Sequence, residues 1–237
     1  MPEAQGKRES RISAPGRGLQ FFGRLSASVS HELNNIMTII MEKSGLLEDL
    51  AFSMEKGRDL DPQRLRDVGE SFTRQARRAV DILKRFNRFA HTVDDPRGTF
   101  ELKALVENLA LLTGRFAALK KLELKTELDE AGLNVNGSAF TVQHLVFTCL
   151  DACLQAMEPG GVITMAARGS GHDVVVHISA APAPEQGLPE TMLQSVRLLA
   201  RDTGCGRPGA HSDHPKGCVM NRPPGTRAAP GRAEQKG

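Results

Sequence analysis

Apolar residues recur at helical spacing through two long segments of the chain. The first runs from about Leu19 to about Met54, has no proline, and contains only Gly23 and Gly45 as glycines. At about 100° per residue from Val29, the side chains of Phe22, Leu25, Leu33, Ile36, Ile40 and Leu47 fall within about 40° of one direction. The second segment, about Pro62 to about Val93, repeats the pattern with Leu65, Val68, Phe72, Ala76, Ala79, Ile82, Leu83, Phe86 and Phe89. Between them lies Glu55-Lys-Gly-Arg-Asp-Leu-Asp61, which holds a glycine and two aspartates, and Asp61-Pro62 is a helix start. The pattern therefore predicts an antiparallel hairpin of two helices, each of roughly 50 Å at ~1.5 Å per residue. A single hairpin covers each stripe from one side only. Two hairpins packed as a four-helix bundle cover both, so a homodimer is expected.

After Asp94-Asp95-Pro96-Arg97-Gly98 the period changes. Thr99–Leu102 reads as a short strand and Lys103–Leu119 as a helix. The alternating Leu122–Leu128 (LELKTEL) and Leu133–Val135 read as strands. Ser138 is placed to cap a helix that ends near Met157, ahead of Pro159-Gly160-Gly161. Val162–Ala167 and Val174–Ser179 form a hairpin pattern around Gly169-Ser170-Gly171, and a helix is expected over about Pro189–Arg201. Helices on one face of a mixed sheet make an α+β sandwich. The domain reading is a disordered lead-in (1–17), a helical hairpin (18–93), an α/β sandwich (94–223) and a basic tail (224–237).

Composition narrows the function. Apolar residues make up 40% and charged residues 25%, enough apolar material for a real core. Ten Phe stand against no Trp and no Tyr, which disfavours base-stacking platforms and aromatic sugar sites. No apolar run reaches the ~18 residues of a membrane span, and the polar start is no signal peptide, so a soluble cytoplasmic chain is expected. Of the net charge of +3, residues 1–20 carry +2 and residues 206–237 carry +4, leaving the body at −3. A nucleic-acid-binding face on that body is not indicated. Cys149 and Cys153, one helical turn apart, read as small buried residues. Cys205, His211, His214 and Cys218 are zinc-ligand types, but their spacing matches no common finger, and reduced thiols with no metal are expected.

The chemistry concentrates in Ser26–Ile40, SASVSHELNNIMTII. His31 lies about 200° around the helix from Val29, opposite the apolar stripe, where an imidazole is free to act as a nucleophile. Glu32 follows it and is expected to hydrogen-bond one ring nitrogen. Asn35, one turn on, shares the face of His31 and is placed to orient a water or a phosphoryl oxygen. Arg24, Ser28, Asn34 and Thr38 complete the expected surface around the histidine.

This segment resembles the phosphoacceptor helix of sensor histidine kinases, H-E-[L/I/F]-[R/K/N]-[N/T]-[P/x]-[L/M]-x-x-I, with Ile36 in place of the usual proline. The resemblance continues in order and spacing through the family's ATP-binding domain and covers roughly residues 19–223. It is closest to the kinase-like dimeric histidine phosphotransferases. Nucleotide-holding residues are missing. Where the family has N-x-x-x-N-A-x-x-A-[M/L], this chain has Thr148 and Ala152 at the asparagine positions, with Asp151 one residue away. The strand Val174–Ser179 runs into Ala180-Ala-Pro-Ala-Pro184 instead of D-x-G-x-G. A literal D-x-G-x-G does occur at Asp202–Gly206, but over twenty residues after that strand; Ser212–Met220 then resembles the family's final hairpin.

The resemblance implies a two-component phosphorelay protein. His31, with Glu32 and Asn35, accepts and donates a phosphoryl group to response-regulator receiver aspartates. No cofactor of its own is expected, and Mg²⁺ arrives with the receiver. The alternative is a sensor histidine kinase that phosphorylates His31 from ATP through a divergent pocket. The lack of a sensor or membrane segment before residue 19 fits the first reading better.

Overall fold

The computed structural model describes residues 14–129, 133–170 and 173–184, together with Gln194. Helix α1 (Ala14–Glu55) and helix α2 (Pro62–Ala90) form the expected hairpin. Helix α1 begins inside the stretch expected to be lead-in, so residues 14–17 are helical. The reason is tertiary: the first turns of α1 have a second surface to pack on, described below. At its other end Gly57 adopts φ +76°, and two backbone bonds close the helix, Gly57 N–H to the Met54 carbonyl (2.9 Å) and Arg58 N–H to the Ser53 carbonyl (3.1 Å). That pairing is a Schellman cap, which needs the left-handed residue glycine supplies. Asp61 then caps α2 by accepting from the Gln63 N–H at 2.9 Å, with Pro62 in the first turn.

A 3₁₀ turn (His91–Val93) leads into the α/β unit. Strands β1 (Thr99–Glu101) and β3 (Asn134–Asn136) pair antiparallel in a small two-stranded sheet. Between them come helix α3 (Leu102–Leu119) and strand β2 (Glu123–Leu128). Helix α4 (Ala139–Ala156) starts as expected at Ser138, whose hydroxyl accepts from the Thr141 N–H at 3.2 Å. Strands β4 (Val162–Ser170) and β5 (Asp173–Ala181) form the antiparallel hairpin, longer at the turn than the pattern indicated. β2 lies parallel to β4, giving the mixed order β2-β4-β5. Alternate residues Ile163, Met165 and Ala167 of β4 and Val174, Val176 and Ile178 of β5 are buried, as one covered sheet face requires. Helices α3 and α4 pack on this sheet.

One apolar core runs through both parts of the chain, from Phe21, Leu25, Val29 and Ile36 of α1 to Leu109 of α3, Leu150 of α4 and Ile163 of β4. Cys149 and Cys153 are buried in α4, as read from their spacing. The stripe of α1 is rotated from the expected one. Phe21, outside the predicted set, is 2% exposed, whereas its neighbour Phe22 is only half-buried. Among the described residues, no helix is long and apolar enough to cross a membrane. The expected helix over about Pro189–Arg201, the Asp202–Gly206 motif, the final hairpin at Ser212–Met220 and the basic tail lie outside the described residues, as does Met1–Ser13 of the lead-in.

Candidate functional site on helix α1

His31 sits in the middle of α1, held in place by the apolar residues of the opposite face: Leu25, Val29 and Ile36 are buried, and Leu33 packs on the core from its edge. The imidazole is exposed, as its angular position required, and among the described residues it has no hydrogen-bond partner. Asn34, Asn35 and Thr38 are exposed around it, and the Thr38 hydroxyl donates to the Asn34 carbonyl at 3.0 Å.

Three expectations for this surface are corrected. Glu32 does not orient the His31 ring. Its carboxylate accepts from the Arg78 guanidinium of α2 at 2.8 Å, because consecutive helical residues point about 100° apart and Glu32 faces the partner helix. Ser28 is buried, on the side of α1 that faces the core. Arg24 is not free for a partner. Its two terminal nitrogens donate to the two carboxylate oxygens of Asp151 on α4, both at 2.7 Å.

That fork crosses between helices 127 residues apart in sequence. The guanidinium carbon also lies 5.0 Å from the Phe147 ring centre and 5.7 Å from that of Phe116, adding a cation–π contact. The Asp151 hydrogen bonds raise the Arg24 pKa above its ordinary value, against the opposing effect of partial burial. One turn earlier, Phe21 is enclosed by Phe89 (5.3 Å between ring centres), Phe140 (5.5 Å), Phe147 (4.9 Å) and a stacked His144 (5.1 Å). Burial holds the His144 pKa down at about 4, and the charge of Arg17 pushes the same way.

On α4 the side chains that the sequence resemblance set at nucleotide-binding positions have other partners. The Thr148 hydroxyl donates to the His144 carbonyl at 2.8 Å, Ala152 is buried, and Asp151 binds Arg24 and also accepts from the Gln155 amide at 2.8 Å. Neither Thr148 nor Ala152 carries an amide, and the Asp151 carboxylate is engaged by Arg24 and Gln155. Among the described residues, no group of three or more His, Cys, Asp or Glu side chains is placed to hold a metal ion. Cys205, His211, His214 and Cys218 lie outside the described residues.

No family model and no curated protein matches this sequence. Solved structures similar to the chain include histidine kinase ThkA in complex with response regulator TrrA, at 17% identity and TM-score 0.46 over 86% of this chain. Others are Acinetobacter baumannii histidine kinase AdeS (12% identity, TM-score 0.43, covering 81% of this chain and 96% of that one) and the cytoplasmic segment of histidine kinase QseC (18%, 0.41, 62% and 92%). This chain spans 62% of the ThkA chain.

Proposed function

We propose that this protein is a dimeric histidine phosphotransferase of a two-component phosphorelay, with His31 as the group that carries the phosphoryl. The observation that carries this reading is the exposed imidazole, without a hydrogen-bond partner among the described residues, within the H-E-L-N-N pattern on a helix whose opposite face is core. An unprotonated ring nitrogen attacks the phosphorus of a receiver aspartyl phosphate. An N–P bond forms, the acyl P–O bond breaks, and the aspartate leaves as a free carboxylate. The reverse step delivers the group to a second receiver. Such transfers depend mainly on proximity and in-line orientation, so α1 needs a stiff backbone and an open face more than acid–base partners. Asn34, Asn35 and Thr38 supply that open face.

The second copy covers the apolar flank of the hairpin, where Met37 and Met41 of α1 and Leu65 and Leu83 of α2 are exposed. No ATP of its own is required in this scheme, and Mg²⁺ is carried by the receiver. The engagement of Asp151 by Arg24 and the carbon side chain at Ala152 favour this over a kinase that uses ATP directly. The test is phosphoryl transfer from a labelled, phosphorylated receiver to the purified protein. Acid-labile label that disappears in His31→Ala is expected. Labelling of His31 by ATP–Mg²⁺ alone replaces the proposal with the kinase reading, and labelling by neither donor removes both.

A further inference from the structure

Between the hairpin and α3 lies an open cleft of about 430 Å³. Its apolar lining is the buried Val29, Ile82 and Leu112, with the exposed Leu111 at the edge. Its polar wall comes mostly from α2, where Arg74, Arg77, Arg78 and Arg85 share one helix face at spacings of three, four and seven residues. Against these four guanidinium groups the lining offers two carboxylates, Glu32 and Asp81. Arg78 is held by Glu32 at 2.8 Å, and Arg74 makes only a loose 3.7 Å contact with Glu70 along its own helix. Among the described residues, the guanidinium groups of Arg77 and Arg85 have no partner. Arg85 is nonetheless half-buried, and the backbone beneath it is fixed by the Asn108 amide, which donates to the Arg85 carbonyl at 3.1 Å.

A solvated basic helix face is the ordinary reading of such a run, with long arginine stems lying over apolar surface. Two features separate this one from it. The arginines border a concavity of the size that takes small ligands, and that concavity has an apolar lining. The planar forks of unpaired arginines match the oxygens of a phosphate, and an apolar lining matches a ring or hydrocarbon body.

We infer that this cleft binds an organic phosphate, a phosphomonoester group attached to a ring body, and that the ligand competes with Glu32 for Arg78. The phosphate sits among Arg77, Arg78 and Arg85, and the body lies on Val29, Ile82, Leu111 and Leu112. The cleft opens on the flank of the hairpin away from the exposed stripe. Glu32 lies about 60° to one side of Val29, while Met37 and Met41 lie about 80° and 120° to the other. A second copy packed on that stripe leaves the cleft open. Because Glu32 adjoins His31, occupancy changes the charge beside the phosphoacceptor, a consequence that rests on the proposed function; the binding itself does not.

The experiment is calorimetric titration of the full chain at low ionic strength with adenosine monophosphate and, separately, inorganic phosphate. Saturable binding of the nucleotide is expected, with inorganic phosphate at least about tenfold weaker because it leaves the apolar lining bare. Arg77→Ala and Arg85→Ala each weaken the nucleotide about tenfold, as loss of one charge-assisted hydrogen bond does. Glu32→Gln frees Arg78 and tightens binding several-fold. Circular dichroism confirms that each variant keeps its helix content. No saturation with either probe overturns the proposal, as does binding indifferent to both arginine variants, which places the nucleotide elsewhere. Equal affinity for the two probes removes the ring body, and a Glu32→Gln variant that binds no tighter removes the competition. None of these readouts needs phosphoryl transfer, so failure here leaves the function of His31 standing.

Discussion

Arg24 of α1 and Asp151 of α4 form a two-pronged ion pair, both contacts 2.7 Å, that ties the helix carrying His31 to the α/β unit. The Arg24 side chain is 46% exposed and Asp151 17%, so water screens the pair from one side only. Fork geometry and the Phe147 ring beneath make it stronger than an ordinary surface bridge. Arg24→Ala and Asp151→Ala are each expected to lower stability by about 1–2 kcal/mol. In a double-mutant cycle read by urea unfolding, the two changes should be non-additive by about 1 kcal/mol. Full additivity would show that the fork carries no coupling.

Phe21 does more than the ion pair to join the two parts, since it is 2% exposed and touches rings from α2 and α4. Phe21→Ala should cost about 3–5 kcal/mol by leaving a cavity among stiff neighbours. Phe22→Ala, at a half-buried site, should cost clearly less. Equilibrium unfolding of the two variants side by side checks the order.

His144 gives the fold an acid sensitivity. Its folded pKa, about 4, lies below the unfolded value near 6.5, so the unfolded chain binds the proton more readily. The contribution is fully present above pH 6.5 and is lost as pH falls from 6.5 towards 4, on the order of 3 kcal/mol over that window. His144→Phe keeps a ring against Phe21 and removes the titration. The difference in unfolding free energy between wild type and this variant should therefore change across pH 6.5 to 4 and stay flat above it. A difference that is constant with pH contradicts the depressed pKa.

The exposed apolar flank of the hairpin sets the oligomer prediction. Leu83 is 45% exposed on α2, next to the half-buried Phe86 and Ala79. Leu83→Glu should convert a dimer into a monomer of similar helix content, since the charge is tolerated in water but not against a second copy. Sedimentation of both proteins at micromolar concentration decides it. A wild-type monomer at that concentration removes the dimer.

Asn35 is exposed one turn from His31; under the proposed function its amide would hold a water in line with the phosphoryl group of a docked receiver. Asn35→Ala should leave transfer to His31 intact and lengthen the lifetime of the receiver phosphate. His31→Ala should abolish transfer with little effect on stability, because an exposed side chain contributes little packing. Equal receiver-phosphate lifetimes with wild type and Asn35→Ala, both shorter than for receiver alone, leave Asn35 without a catalytic role.

Local chemistry in the sequence determined the elements. The Asp61-Pro62 start and the Ser138 cap each rest on bonds within a few residues, and each stands where the sequence places it. The exposure of His31 was legible for the same reason, since a helix fixes which residues share a face. Which way a face points in the assembled chain was decided by tertiary structure alone. Phe21 and Phe22 are chemically identical neighbours, and only the arrival of α4 against α1 selects Phe21 for the core. Arg24 and Ser28 looked like free surface beside His31, but α4 supplies Asp151 to pair Arg24, and Ser28 is buried on the core side of α1. Glu32 found Arg78 rather than His31 because α2 places a cation closer to its side chain than helical geometry lets its own neighbour come. Contacts such as Arg24–Asp151 join residues 127 apart, and no local periodicity encodes a pairing at that separation.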